Sequence, residues 1–363
     1  MEVETKNQCV LSSTDETLGA RTGTLSSESP GRSQVRFSRL GCIPLKTVTV
    51  QVDNEHVLIP GGQSIGLTLF TDGVFIVDGA EVYLPDGSSV NPAKDAGLAA
   101  GDCIKFLNGQ IVDSMDKLVQ IVQESQGETL SVRYIRDGEE YTTEIQPVID
   151  ETGEKRLGIW VRDSTAGIGT LTYIDPANDS FGGLGHGICD GGTGELLPLK
   201  RGVVVDVNLT GIVKGRVNEP GELKGIFSSV RRGSLSSNTD CGVFGTINTS
   251  GMELPSPIEI GYRSEVRSGK ACVISCAGGK PQCYEIEIER ISDPDGMTKN
   301  FVIRITDGTL LDLTGGIVQG MSGSPVVQNG RLIGAVTHVM INDPTRGYGI
   351  FIENMLEEAK NAA

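Results

Sequence analysis

Apolar and polar residues alternate in short runs along most of this 363-residue chain. The run IPLKTVTVQV at 43–52 has the period-two pattern of a half-buried strand, and order is expected to begin there. From about residue 157 onward, about ten more such runs are divided by Gly, Pro and Asp, with hardly any helical periodicity. This pattern predicts a mostly β protein whose C-terminal part is a barrel or a pair of barrels.

Two segments have helical periodicity instead. In DSMDKLVQIVQESQG at 113–127 the apolar positions 115, 118, 119 and 122 fall on one helix face, with Ser114 or Asp113 able to cap the start and Gly127 the end. The segment IENMLEEAKNA at 352–362 is the second predicted helix, with Ile352, Met355 and Leu356 on one face.

Composition excludes several function classes. The net charge of −16 argues against nucleic-acid binding, which needs a basic surface. The sequence has no apolar run of about 18 residues, so no transmembrane helix is expected, and no secretory signal is visible. Residues 1–44 are polar with little apolar periodicity, and we expect them to be disordered.

The eight cysteines do not follow a zinc pattern, because no Cys-x-x-Cys pair occurs and no His lies near the group 272, 276 and 283. Buried or free thiols are favoured over metal ligands or disulfides. We expect no metal and no organic cofactor.

Residues 45–150 form a compact predicted unit. GGQSIGLTLFTDGVFIV at 61–77 predicts strand, Asp72-Gly73 turn and strand, and the following turns, helix and hairpin close the unit. The phrase AGLAAGDCIKFLNGQ at 96–110 and this order of elements resemble a bacterial PDZ domain, an α+β fold. The resemblance implies that an extended peptide ligand is bound at the loop Ser64-Ile65-Gly66-Leu67. The alternative is a small α+β domain without a ligand.

The chain has three histidines, and each is a candidate base for a serine nucleophile, which is weak without one. His56 lies in a polar strand, where a surface role is favoured. His186 lies in SFGGLGHGICDGGTGE at 180–195, and so many glycines indicate close approach of a substrate or another loop.

The candidate nucleophile lies in TGGIVQGMSGSPVVQNGRLIGAVTHV at 314–339. Glycines at 320 and 323 allow a sharp bend, so the N–H groups of Gly320 and Ser322 can converge as an oxyanion hole, with each donor lowering the barrier by about 3 to 4 kcal/mol. The return strand of the hairpin ends at Thr337 and His338, which are predicted to line the substrate pocket. Ser324 is a competing nucleophile, but the flanking glycines favour Ser322.

Together, the PDZ-like unit, GGLGHGI at 182–188 and the segment 314–356 resemble the SpoIVB peptidase family. The resemblance implies a chymotrypsin-like double β-barrel serine peptidase over residues 151–363, after the PDZ domain. It places the nucleophile at Ser322, the base at His186 and the orienting acid at Asp307. Chain order alone leaves Asp206, Asp240 and Asp312 open as the acid.

The same resemblance implies a biological setting: an endopeptidase exported to the space between forespore and mother cell, which cleaves its own N-terminal region. Its implied partner is a membrane-bound inhibitor of an intramembrane protease, whose cleavage lets a sigma factor mature. Two alternatives stay open: a catalytically dead PDZ signalling scaffold, and a general quality-control peptidase that carries a PDZ domain.

Overall fold

The computed structural model describes residues 2–5, 12–13, 25–26, 31–39, 43–52 and 56–361. The chain divides between residues 57 and 58 into two compact units. The described strands of the first unit are β1 (Glu2–Thr5), β2 (Ser12–Ser13), β3 (Leu25–Ser26), β4 (Gly31–Arg39) and β5 (Ile43–Val52). Strands β1, β4 and β5 form one antiparallel sheet, and β2 pairs with β3.

The predicted strand at 43–52 is confirmed as β5. The expectation of disorder across 1–44 is wrong for residues 31–39, because β4 pairs with β5 along its whole length, from Gly31 opposite Val52 to Arg39 opposite Ile43. Cross-strand pairing therefore orders a stretch that has no apolar pattern of its own. The residues of 1–44 that belong to no strand lie outside the described part of the chain.

In the part of the chain that the structure describes, the four helices and the remaining strands belong to the second unit, except that β6 begins one residue earlier, at Val57. Between residues 57 and 156 the strands are β6 (Val57–Pro60), β7 (Ser64–Gly79), β8 (Val82–Tyr83), β9 (Ser89–Val90), β10 (Cys103–Leu107), β11 (Gln110–Ile111), β12 (Leu130–Arg136), β13 (Glu139–Ile145), β14 (Val148–Ile149) and β15 (Lys155–Arg156). The later strands are β16 (Ile159–Asp175), β17 (Ser180–Gly183), β18 (Leu199–Val213), β19 (Glu222–Thr239), β20 (Gly242–Ile247), β21 (Ile258–Glu259), β22 (Gly269–Ser275), β23 (Gln282–Ile291), β24 (Phe301–Ile305), β25 (Pro325–Gln328), β26 (Arg331–Met340) and β27 (Asp343–Phe351). The helices are α1 (Pro92–Asp95), α2 (Met115–Glu124), α3 (Gly308–Thr314) and α4 (Ile352–Asn361).

Two six-stranded rings dominate this unit. In the first, β7 pairs with β18, then β19, β20, β17 and β16 follow, and β16 pairs back with β7. The second is the closed barrel β22-β23-β24-β27-β26-β25. Closure removes the exposed strand edges that would otherwise be left unpaired. The mostly β, double-barrel prediction is therefore correct.

Each barrel has its own apolar core. Ile65, Leu67, Leu171 and Val204 are buried inside the first, and Val273, Ile286, Ile303 and Val336 belong to the core of the second. Burying such a side chain contributes about 1.5 to 3 kcal/mol.

A third core lies under α2, in the PDZ-like region. The helix begins at Met115 with Ser114 as its N-cap, as the sequence predicts, but its C-cap is Ser125 rather than Gly127. The buried face consists of Leu118, Ile121 and Val122, whereas Met115 and Val119, which the pattern placed on that face, are exposed.

The predicted turn at Asp72-Gly73 is wrong, because β7 runs without interruption from Ser64 to Gly79. Its first half is a strand of the first barrel, and its second half pairs with β10 of the PDZ-like region. The long strand β16 accompanies β7 through both halves, from Ile159 opposite Gly79 to Thr170 opposite Ser64. These two strands belong to both regions at once.

The expectation of free thiols is wrong for one pair: Cys272 and Cys283 form a disulfide between β22 and β23. The two strands form a hairpin that places Ile274 opposite Cys283, so the two cysteines lie on neighbouring strands although eleven positions separate them in sequence. Among the described residues Cys103, Cys189, Cys241 and Cys276 are free.

Candidate active site

His186 lies three residues after β17, on a segment that the first barrel holds in place. Leu184 and Gly185 both have positive φ, +67° each, which turns the chain sharply before the histidine. A Cβ on Gly185 would lie 3.1 Å from side chains of Thr337 and Ile350. The glycines were expected to permit close approach of a substrate or of another loop, and the residues that approach Gly185 lie on strands of the second barrel.

Ser322 lies in the turn that leads into β25 of the second barrel, and it is half-buried. Gly320 has φ +95° and Gly323 has φ +92°, a conformation that favours glycine. A Cβ on Gly323 would lie 2.2 Å from Thr170 O and 2.4 Å from Leu184 N. The nucleophile turn therefore packs directly against the segment that carries His186.

The segments that carry the two predicted residues thus pack together where the barrels join. Thr337 connects them: its carbonyl accepts a 2.8 Å hydrogen bond from Ser322 Oγ, and His186 contacts the next residue, with 4.8 Å between the ring centroids of His186 and His338. In this arrangement the Ser322 hydroxyl is bound to a main-chain carbonyl and not to the imidazole.

The tautomer of His186 suits a base. Its Nδ1 lies 2.8 Å from Gly187 O, and because a carbonyl only accepts, Nδ1 carries the hydrogen of the neutral ring. Nε2 is then the atom with a free lone pair, the one that takes a proton from serine in peptidases of this type. Burial lowers the pKa of His186 below its usual value of 6.5, and the bond to Gly187 O opposes that shift.

The oxyanion donors predicted at Gly320 and Ser322 are free in the described part of the chain: neither N–H donates a hydrogen bond to another described residue. Their carbonyl groups are hydrogen-bonded to one residue: Gly320 O accepts from Thr170 Oγ1 at 2.7 Å and Ser322 O accepts from Thr170 N at 2.9 Å. Two amide donors on either side of Met321 are therefore without a partner among the described residues, as an oxyanion hole requires.

Asp307 is not brought to His186. Its carboxylate caps the start of α3 by accepting from Leu310 N at 3.0 Å, and it also accepts from Glu285 N at 3.3 Å. The helix α3 was not predicted from the pattern of apolar residues. Of the alternative acids, Asp206 pairs with Arg232 at 2.7 Å, and Asp240 and Asp312 are exposed.

Four further candidates differ in their burial. Ser324 is fully buried and its Oγ has no hydrogen-bond partner among the described residues, so it is closed to a substrate. Thr337 is buried with its hydroxyl on Tyr348 O, which leaves its side chain no free face for a pocket. His338 is exposed overall, but its ring lies against that of His186, and partial desolvation together with the nearby His186 lowers its pKa to about 4. His56 is half-buried just before β6.

The predicted peptide-binding residues Ser64, Ile65, Gly66 and Leu67 lie inside β7 rather than in a loop. Positions 65–67 pair with β16 on one edge and with β18 on the other. A peptide cannot add as a further strand here, because both edges of β7 are already hydrogen-bonded.

A cavity of about 870 Å³ lies apart from this cluster and includes Gln63, Ser64, Asp206, Arg232 and Cys276 in its wall. Ser64 Oγ and Cys276 Sγ are 2.8 Å apart there. Within the described ranges no group of three or more His, Cys, Asp or Glu side chains could hold a metal ion. No helix in that part of the chain is long and apolar enough to cross a membrane.

Two family models match the sequence, SpoIVB peptidase S55 over residues 153–356 and a PDZ domain over residues 64–146. The chain belongs to the SpoIVB peptidase S55 family. It is a serine peptidase, a hydrolase of peptide bonds, and it carries a PDZ domain.

Solved structures similar to this S55 peptidase include the Rv3671c protease of M. tuberculosis in an inactive form, with 16% identity over 54% of this chain and 85% of that one, at a TM-score of 0.30. The HtrA-type protease AlgW with a decapeptide has 15% identity over 58% of this chain and 57% of that one, at 0.31. The PDZ domain of an SdrC-like protein from Listeria monocytogenes has 26% identity over 25% of this chain and 90% of that one, at 0.21. Membership of the family rests on the sequence match, since TM-scores this low do not establish a shared overall arrangement.

Sequence reasoning on this S55 peptidase missed two groups at the site. One is Gly187 O, the partner of His186 Nδ1, which no side-chain pattern announces because any residue supplies a carbonyl. The other is Thr170, whose hydroxyl and N–H both bind the serine turn across about 150 positions of sequence. A threonine in a strand is ordinarily explained by β propensity, so its type carried no signal.

Proposed function

We propose that the protein is a PDZ-regulated serine endopeptidase in which Ser322 attacks the substrate carbonyl and His186 accepts the serine proton. The observation that supports this is the packing of the Gly323 turn against Leu184, two positions from His186. In the attack, the Ser322 hydroxyl leaves Thr337 O and donates to His186 Nε2. The N–H groups of Gly320 and Ser322 then stabilise the oxyanion.

The rest of the cycle follows acyl-transfer chemistry. The imidazolium returns its proton to the leaving amine as the C–N bond breaks, which leaves an ester between Ser322 and the acyl group. Water, deprotonated by His186, then hydrolyses that ester and restores the serine. No step needs a metal or an organic cofactor.

The orienting acid in this proposal is Asp307, on the resemblance to the family. Its carboxylate caps α3 here, so binding to the imidazole requires that the start of α3 rearranges and that Nδ1 gives up Gly187 O. The conformation with Ser322 Oγ on Thr337 O is accordingly a resting state.

Regulation by the PDZ domain has a structural route in β16. Its first residues pair with the PDZ half of β7, and Arg162 forms a 3.0 Å ion pair with the buried Asp190, four positions after His186. Further along, Thr170 binds the serine turn. A peptide that displaces the start of β16 would therefore disturb both halves of the site.

As substrates we propose a membrane-bound inhibitor of an intramembrane protease and the protein's own N-terminal region, in sporulation signalling between forespore and mother cell. This part rests on the family alone. Mass spectrometry of purified wild type and Ser322→Ala during incubation should find new N-termini only in the wild type. Identical fragmentation of both would contradict self-cleavage.

The test of the catalytic proposal is a fluorophosphonate probe, which phosphonylates an activated serine. We expect labelling at Ser322 in the wild type and none in Ser322→Ala or His186→Ala. Ser324→Ala is the matched control, because it removes a neighbouring hydroxyl and should leave labelling intact. Labelling that survives both of the first two substitutions would refute the proposal, and a wild type that binds peptides without being labelled would favour a dead scaffold.

A further inference from the structure

Thr170 lies on β16 and makes three hydrogen bonds to the two segments of the site. Its hydroxyl donates to Gly320 O at 2.7 Å, its N–H donates to Ser322 O at 2.9 Å, and its carbonyl accepts from Leu184 N at 3.2 Å. The side chain is 1% exposed. A substrate therefore cannot touch it, and whatever it contributes acts through its partners.

The two carbonyl groups that Thr170 holds alternate along the chain with the two N–H groups proposed as oxyanion donors. Gly320 and Ser322 each have a carbonyl bound to Thr170 and an N–H without a partner in the described part of the chain. Gly320 has no side chain and a φ of +95°, so its backbone rotates at low cost unless something restrains it. The bond from the Thr170 hydroxyl to Gly320 O restrains the Gly320–Met321 peptide. The bond from Thr170 N–H to Ser322 O restrains the Ser322–Gly323 peptide.

We infer that Thr170 is a positioning residue of the oxyanion hole: its hydroxyl fixes the Gly320–Met321 peptide, which links the two peptides that carry the Gly320 and Ser322 N–H groups, and so restrains the directions of both donors. The hydrogen bond from Leu184 N keeps the His186 segment in register with these donors. This inference rests on the proposed peptidase mechanism and adds to it a buried residue that the substrate never meets. Thr172 supports the same turn at its far end, through a 2.8 Å bond from its hydroxyl to Gly323 O.

The test compares two isosteric substitutions. Thr170→Val removes only the hydroxyl and keeps the N–H and the β-branch. Thr71→Val is the matched control, because Thr71 is also 1% exposed and its hydroxyl also donates to a glycine carbonyl, Gly73 O, at 2.7 Å. Both variants lose one buried hydrogen bond, so both should lower the melting temperature by a similar amount.

The catalytic readouts should separate the two variants. For Thr170→Val we expect the kcat for an ester substrate and the phosphonylation rate of Ser322 to fall about 10- to 100-fold with KM unchanged, less than the 10²- to 10³-fold lost with a whole oxyanion donor. Thr71→Val should match the wild type in both rates. Thr170→Ser restores the hydroxyl and should recover most of the rate.

Equal rates in Thr170→Val and Thr71→Val, or no recovery in Thr170→Ser, would overturn the inference. A loss expressed in KM alone would also overturn it, because an oxyanion donor acts on the transition state. Amide hydrogen exchange over residues 319–324 gives a readout that does not depend on turnover: it should accelerate in Thr170→Val and not in Thr71→Val. A wild type that is never labelled at Ser322 would refute the peptidase mechanism, whereas labelling at equal rates refutes only the role of Thr170.

Discussion

At the scale of single residues, the site consists of groups whose ordinary chemistry is changed by burial. His186 is neutral, with Nδ1 bound to Gly187 O and Nε2 left as the acceptor. His338 is exposed overall but is in ring contact with His186, and partial desolvation and the neighbouring imidazole lower its pKa to about 4. The lowered pKa of His186 favours the neutral imidazole, the form that accepts a proton, into the pH range below 6.5.

The first prediction concerns that range. Because burial lowers the pKa of His186 below 6.5, the base stays neutral as the pH falls through 6.5. The acid limb of kcat/KM should therefore have its midpoint below pH 6.5, as measured with a peptide substrate between pH 4 and 8. A midpoint at or above 6.5 would contradict a buried base.

The same shift affects stability. The unfolded chain takes up a proton on this histidine at about pH 6.5, before the folded protein does, so the free energy of unfolding should decrease as the pH falls below that value. In His186→Asn this part of the decrease should be absent, which separates it from the titration of carboxylates.

The second prediction concerns Gly323. An alanine there combines a φ of +92° with a Cβ 2.2 Å from a main-chain oxygen that cannot move aside. Gly330→Ala is the control, since its φ of +78° is similar and no atom lies within 4 Å of the added Cβ. We expect Gly330→Ala to cost about 1 kcal/mol and Gly323→Ala about 2 kcal/mol more, with loss of activity. Chemical denaturation would measure both, and equal costs would show that the turn is not packed as described.

At the scale of elements, α3 gives Asp307 a structural role that competes with its proposed catalytic one. An N-cap accepts Asn as readily as Asp, since both side chains offer an oxygen to the N3 amide. A triad acid does not accept Asn, because an amide supports the wrong tautomer of histidine and lowers kcat about 10⁴-fold. One substitution therefore distinguishes the two roles.

The third prediction follows. Asp307→Asn should keep the free energy of unfolding within about 1 kcal/mol of the wild type and should lower activity by orders of magnitude. Asp312→Asn, on the exposed face of the same helix, is the control and should change neither. Full activity in Asp307→Asn would reduce Asp307 to a helix cap and leave Gly187 O as the group that orients the base.

At the scale of the whole molecule, β7 and β16 connect the PDZ region with the first barrel. Residues 64–70 of β7 lie between β16 and β18, and Ile65 and Leu67 are buried in the barrel core. A cut between the two family matches, at about residue 150, would remove one of the six strands of that barrel.

The fourth prediction is that a fragment of residues 153–363 does not fold by itself. Without β7, the edges of β16 and β18 are unpaired and the core loses Ile65 and Leu67, about 1.5 to 3 kcal/mol each. A fragment of residues 56–363 keeps β7 and should unfold cooperatively, as followed by circular dichroism. Cooperative unfolding and fluorophosphonate labelling of the shorter fragment would show that the peptidase does not need β7.

The sequence predicted local features with short causes. The strand at 43–52, the start of α2 at Ser114, the glycine-permitted approach around His186 and the serine turn all depend on a few neighbouring residues. The continuous strand at Asp72-Gly73, the disulfide between Cys272 and Cys283 and the helix that begins after Asp307 were not predicted. A turn dipeptide, a cysteine spacing and a lone Asp each fit more than one structure, and neighbouring strands decided among them.

The amino-acid sequence by itself determined the family, the β-rich architecture and the residue types of the site, because period, glycine placement and motif are properties of contiguous residues. Only the tertiary structure decided which strand closes each barrel, that both edges of residues 65–67 are occupied, and that Thr170 supports the serine turn from about 150 positions away. The physical reason is that a strand exposes the same hydrogen-bonding groups whatever its side chains, so its partners are chosen by the competition of all edges in the folded chain.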